Sequence, residues 1–174
     1  MHYPYETLNY NARVEFKDAF GLEAYYHCYQ RIRVLANELF TVTQRLWGWG
    51  DPFYDFTSPS AAAVYLVNDA DPPAIVMVLK KPAKRGDEIE LHSIRRVHHA
   101  FKENHGTWEY RAFTPTERAK LAISFPIARE PEGISVSQSP GAPSPYVRRP
   151  GTKELLLTVS SPTPGALYRA DWDW

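Results

Sequence analysis

Six histidines, one cysteine and twenty carboxylates are the side chains through which this chain could do metal, nucleophilic or acid–base chemistry. His92, His98, His99 and His105 fall close together. On a strand His98 and His99 point to opposite faces and cannot share an ion. His92 and His98 share a face but stand roughly 20 Å apart when extended. On a helix His98 and His105 would lie two turns apart, and no Cys or His pair has zinc-site spacing. The histidines therefore read as surface or half-buried side chains, and neither a metal nor a cofactor is expected.

Nucleophilic catalysis needs a base within hydrogen-bond reach of an activated Ser or Cys. There is no Gly-x-Ser-x-Gly elbow, and the serines cluster in a Pro-rich stretch. Cys28 alternates with Tyr26 and Ile32, which places it on a core face as an inert thiol, with His27 pointing across the sheet. Glu88 with Glu90, and Asp171 with Asp173, are i, i+2 pairs about 7 Å apart on one strand face. That separation does not exclude glycosidase chemistry, but it is also the ordinary spacing of a solvated strand face. No phosphate loop, dinucleotide fingerprint or EF-hand loop is present. No residue is assigned a catalytic role.

Three surfaces suit binding better than chemistry. Tyr25, Tyr29, Arg31 and Arg33, with His27, alternate along one strand face and combine stacking rings with fixed positive charge. Such a face can hold single-stranded nucleic acid, and the same residue types dominate protein–protein hot spots. A basic run through Lys80, Lys81, Lys84 and Arg85 continues to Arg95 and Arg96. It suits an acidic partner or a solvated, aggregation-resistant edge. Trp47 and Trp49, flanked by glycines and followed by Asp51, Asp55 and Phe56, could anchor a sugar ring or simply pack over the core.

The elements that must position these residues are mostly strands. Period-two alternation marks residues 10–16 and 25–35, and a strand is preferred over a short helix from Asn37 to Leu46. Apolar runs at 62–67 and 74–79 flank an Asn/Asp/Pro turn. Lys80 to Asp87 reads as a basic connection. Residues 88–97 read as a long strand with a bulge near Ser93, although 91–103 also carries helical spacing. Residues 108–113 and 120–125 read as a hairpin. Residues 137–150 read as a flexible Pro/Ser/Gly-rich loop, and 155–159 and 166–174 as closing strands.

Composition bounds the rest. The chain has 174 residues, 14% of them aromatic, with fifteen prolines. That length suits one domain with a real core, and that composition suits sheets joined by turns. Lysine and arginine balance aspartate and glutamate at zero net charge, so no whole-molecule attraction to nucleic acid or anionic lipid is encoded. No apolar stretch approaches the roughly 20 residues of a membrane-spanning helix. A lone cysteine suits a reducing compartment, which makes the cytoplasm the default.

The expectation is thus a single mostly β domain over 1–174. It should be an antiparallel β-sandwich, immunoglobulin-like in general style, or a partly open barrel, with long Pro-rich loops and at most one short helix. Its expected role is a non-enzymatic protein-binding module, an adaptor or regulatory subunit acting through the Tyr/Arg face. The alternatives are a single-stranded nucleic-acid-binding domain and a carbohydrate-binding or hydrolytic sandwich using the Trp47–Phe56 loop. The oligomeric state is not legible.

Overall fold

A computed structural model describes residues 2–45, 55–67, 73–98, 101, 104–140, 146–148 (backbone only) and 153–174. Twelve strands follow in order: β1 (Tyr5–Phe16), β2 (Glu23–Val34), β3 (Glu38–Arg45), β4 (Ala61–Val67), β5 (Ala74–Lys84), β6 (Glu88–His98), β7 (His105–Arg111), β8 (Arg118–Ser124), β9 (Glu132–Ser139), β10 (Tyr146–Arg148), β11 (Glu154–Ser160) and β12 (Leu167–Asp173). Among the described residues there is no helix, and none of the sheets closes into a barrel. The mostly β, sandwich-like expectation holds, built from three sheets rather than two.

The six-stranded sheet runs β10-β11-β8-β1-β2-β6, and the two smaller ones run β7-β12-β9 and β3-β5-β4. β1 and β2 are twelve residues each, about 40 Å of strand. A sheet of three shorter strands cannot cover that length. The even positions of β2, from Ala24 to Val34, are all buried, yet they serve two cores. Ala24, Tyr26 and Cys28 join Val14, Phe16, Leu121, Tyr168 and Trp172 beneath β7-β12-β9. Ile32 and Val34 join Tyr5, Val42, Ile75, Met77 and Leu91 beneath β3-β5-β4. One face of the long sheet thus carries two small sheets side by side.

Several sequence expectations are corrected. Residues 108–113 and 120–125 do not form a hairpin: β7 pairs with β12, and β8 lies parallel to β1 and antiparallel to β11. The chain leaves the long sheet after β6 and returns on the free side of β1, so that pair is parallel and the sheet is mixed. β5 continues through Lys84, so Lys80 to Lys84 belong to a strand rather than a connection. β6 stays extended and keeps unbroken register with β2 from Glu88 to His98, which excludes both the helix and the bulge near Ser93. Within 137–150, residues 137–139 end β9 and 146–148 form β10.

Trp172 anchors the first core. It is fully buried, with the rings of Phe16, Phe101, Phe125 and Trp174 within about 6.2 Å of it. β7 passes over its indole so closely that only glycine fits at 106, since a Cβ there would lie 2.2 Å from the ring. Gly106→Ala should therefore overpack this core and destabilise the fold by about 1–3 kcal/mol, seen as a lower urea midpoint with unchanged m-value. An unchanged midpoint would contradict this packing.

Candidate functional site

The strip of the long sheet between the two cores is polar. Thr7, Gln30, Ser93, Arg95 and Thr116 are the buried polar residues among those described, and they gather here. On β2, Gln30 interrupts an otherwise apolar face. On β6, Ser93 and Arg95 interrupt the face that carries Leu91 and Val97, lying opposite Cys28 and Tyr26. A buried polar group is costly unless it finds partners, and these do. Gln30 Nε2 donates to Thr7 Oγ1 at 3.0 Å, and Thr7 shares a 3.0 Å hydrogen bond with Thr114 Oγ1. Thr116 Oγ1 donates to the Thr114 carbonyl at 3.0 Å. Ser93 Oγ donates to Gln44 Oε1 at 3.1 Å, and Gln44 Nε2 reaches Cys28 Sγ at 3.5 Å, tying β3 to the long sheet.

Above this strip the two small sheets leave a crevice of about 470 Å³. Its floor holds the Tyr10–Tyr26 hydroxyl pair at 2.6 Å, with Tyr10 stacked on Tyr110 at 4.6 Å. The Arg95 guanidinium lies 4.7 Å from the centre of the Tyr26 ring. Arg45 from β3 sits 5.9 Å from the Phe113 ring, so the two small sheets meet at the crevice wall. The charged lining residues are Arg45, Arg95, Arg111 and Glu109, and Glu109 is engaged by Arg169 at 3.6 Å. Burial shifts the ionisable groups. Desolvation raises Tyr10 well above the usual phenol value, Tyr110 and Tyr5 to about 12, and the Cys28 thiol to about 11. It lowers Arg95. The thiol is therefore not a poised nucleophile. The crevice offers ring faces, hydroxyls and positive charge, which suit recognition.

The residues singled out from sequence are dispersed. Tyr25, Tyr29, Arg31, Arg33 and Arg96 do share the outer face of the long sheet, away from the crevice. Their charges are engaged within the chain: Arg31 pairs with Glu88, and Arg33 with Glu6 at 2.8 Å and Glu88 at 3.0 Å. The hydrogen bonds from Arg31 and Arg33 hold the Glu88 carboxyl below its usual range. Tyr29 packs edge-on to His92 at 4.7 Å, and Arg96 Nε donates to the Tyr25 hydroxyl at 3.4 Å. Arg95 leaves the basic run altogether, because adjacent strand residues face opposite ways and its own side is the crevice floor. Trp47 and Trp49 lie outside the described residues, as do Asp51 and His99; Phe56 lines the crevice. Sequence reasoning missed Thr7, Tyr10, Gln30, Gln44 and Tyr110. The signal was the polar interruption of two apolar strand faces.

Asp171 and Asp173 close on a histidine rather than on each other. His105 Nδ1 lies 3.0 Å from Asp173 and its Nε2 3.4 Å from Asp171. Asp171 also accepts from Thr107 at 2.7 Å and from Arg169 at 2.9 Å. Among the described residues, no three His, Cys, Asp or Glu side chains are placed to hold a metal ion, and no helix is long and apolar enough to cross a membrane.

No family model matches the chain. No curated protein matches it either. Solved structures share its fold. A candidate protease from Parabacteroides distasonis aligns with TM-score 0.57 at 12% identity, over 98% of this chain and 40% of that one. An M1 zinc metallopeptidase from Deinococcus radiodurans aligns with TM-score 0.52 at 11% identity, over 98% and 43%. A mutant two-domain M1 zinc metallopeptidase bound to L-tryptophan aligns with TM-score 0.51 at 12% identity, over 98% and 43%. The chain spans about two fifths of the length of these structures.

The His105 cluster sets a pH dependence. The hydrogen bond to Asp173 raises the His105 pKa above its ordinary 6.5. The stabilisation is therefore fully present below about 6.5, the unfolded value, and fades as pH rises through the folded one. Urea titrations across this window should show stability falling with rising pH, and His105→Gln should flatten that slope. An unchanged slope in the variant would remove His105 from the account.

Proposed function

We propose that this chain is a non-enzymatic protein-binding module of the cytoplasm, an adaptor or regulatory subunit, which takes an extended acidic segment of a partner protein into the central crevice. The observation that carries this reading is the gathering of the buried polar residues beneath one opening whose charged lining is three arginines against one glutamate. A crevice of this volume falls in the range of ligand sites, where a few fixed polar groups set orientation within a largely apolar wall. Positive lining favours acidic partners and speeds their encounter. The likeness to peptidase structures supports a peptide as the ligand class, since one such structure holds a Tyr-Ser-Ala substrate. The partial coverage of those chains and the lack of a metal-binding donor set among the described residues favour contact over catalysis.

The outer Tyr/Arg face is the weaker candidate. Binding phosphates there would require Arg31 and Arg33 to leave Glu6 and Glu88, so a single-stranded nucleic acid gains less than the bare sequence implies.

Fluorescein-labelled extended peptides, acidic and basic, test the proposal by polarisation. Acidic peptides should bind, more weakly as salt rises, and Arg111→Ala should weaken them by about tenfold, as expected for a charge-assisted hydrogen bond. Arg31→Ala should leave that affinity unchanged. Affinity lost with Arg31→Ala but kept with Arg111→Ala, or acidic peptides that never bind, would contradict the proposal. Preference for a single-stranded oligonucleotide would promote the outer face.

A further inference from the structure

Exposed sheet edges present unpaired amides and carbonyls, and monomeric proteins defend them with charge, proline, bulges or a covering segment. Most edges of this molecule are defended in this way. β6 carries Glu88, Glu90, Arg95 and Arg96, and its far edge is occupied near Ile94 by Thr57, with paired backbone hydrogen bonds of 2.8 and 2.9 Å. Ser60 Oγ accepts from the His92 amide on the same edge. β3 carries Glu38 and Arg45, β7 carries His105, Glu109 and Arg111, β9 carries Glu132, and β10 is three residues long and ends in Arg148.

β4 is different. It is the outer strand of β3-β5-β4, and no described strand pairs with its far side. Its sequence is Ala-Ala-Ala-Val-Tyr-Leu-Val, with no charge, proline or glycine in seven residues. Tyr65 is 58% exposed and Val67 38%. This uncharged edge is built for pairing rather than defended against it.

We propose that the edge is occupied by β4 of a second copy of this chain, antiparallel about a two-fold axis at Val64. In a two-fold pair every residue meets its own strand, so any charge would face like charge and destabilise the pair. β4 carries none. Size is matched as well. Pairing about Val64 uses all seven residues and sets Ala61, Ala62 and Ala63 opposite Val67, Leu66 and Tyr65, the small half of each strand against the large half of the other. The outward amides of an antiparallel strand alternate, so registers must centre on a residue, and Val64 is the central residue of the strand. The two β3-β5-β4 sheets would then form one continuous six-stranded sheet. This inference is independent of the peptide reading, since β4 does not line the crevice.

Sedimentation equilibrium of the full chain tests it. The wild type should show twice the 19.9 kDa chain mass within about 1–100 µM, the concentration dependence expected of mass action. Tyr65→Lys, which sets lysines diagonally across the two-fold, should raise the dissociation constant roughly tenfold or more while the far-UV dichroism stays unchanged. Should that variant fail to fold, Ala62→Lys, at another exposed position of β4, gives the same readout. A wild type that is monomeric throughout, or a dimer whose affinity is unmoved by a folded lysine variant, would overturn the proposal. So would a monomer whose β4 amides become protected only when another protein is added.

Discussion

The molecule depends on a mismatch of lengths. β1 and β2 run about 40 Å, and each covering sheet has only three strands, most of them seven or eight residues long. Two covers are therefore needed, and two covers leave a seam. An apolar seam would be unfilled space, which dense interiors avoid. This chain fills it with hydroxyls, amides and one arginine, each held by hydrogen bonds or ring contacts. The crevice is thus a consequence of how the long sheet is covered.

The seam also mechanically couples the two halves. Gln44 on β3 reaches Cys28 and Ser93 on the long sheet, while Thr114 and Thr116, between β7 and β8, reach Thr7 and each other. A segment entering the crevice would touch side chains from both small sheets and the long one. Recognition of that kind relies on rigid walls and preplaced polar groups, which lower the ordering cost of binding. The raised phenol values of Tyr10 and Tyr110 keep these hydroxyls neutral and able to donate.

Much of this was legible in the residues, and the failures have physical causes. The alternation of β1, β2, β5 and β12 marked strands, because period two survives wherever one face is buried. Cys28 was placed correctly on a core face. The 108–113 and 120–125 hairpin failed because adjacency in sequence does not decide which sheet a strand joins; Trp108 and Tyr110 belong to the core that Trp172 organises. Arg95 was grouped with Arg96 by proximity, although a strand sends neighbours to opposite faces. Gln30 was passed over for the same reason that makes it informative: it breaks an apolar row between Cys28 and Ile32. Two such breaks on paired strands point to a buried polar site, but only once β2 and β6 are known to be neighbours.

The most direct test of the account is amide chemical-shift mapping of the isotope-labelled chain during titration with an acidic extended peptide. The account predicts saturable shifts concentrated on residues of the seam drawn from all three sheets, Thr7, Gln30, Gln44, Arg95 and Arg111, with the amides of Tyr25, Tyr29 and Arg33 unmoved. Shifts confined to the outer face of the long sheet, with the seam silent, would show that the crevice is structural and that binding belongs to the Tyr/Arg face.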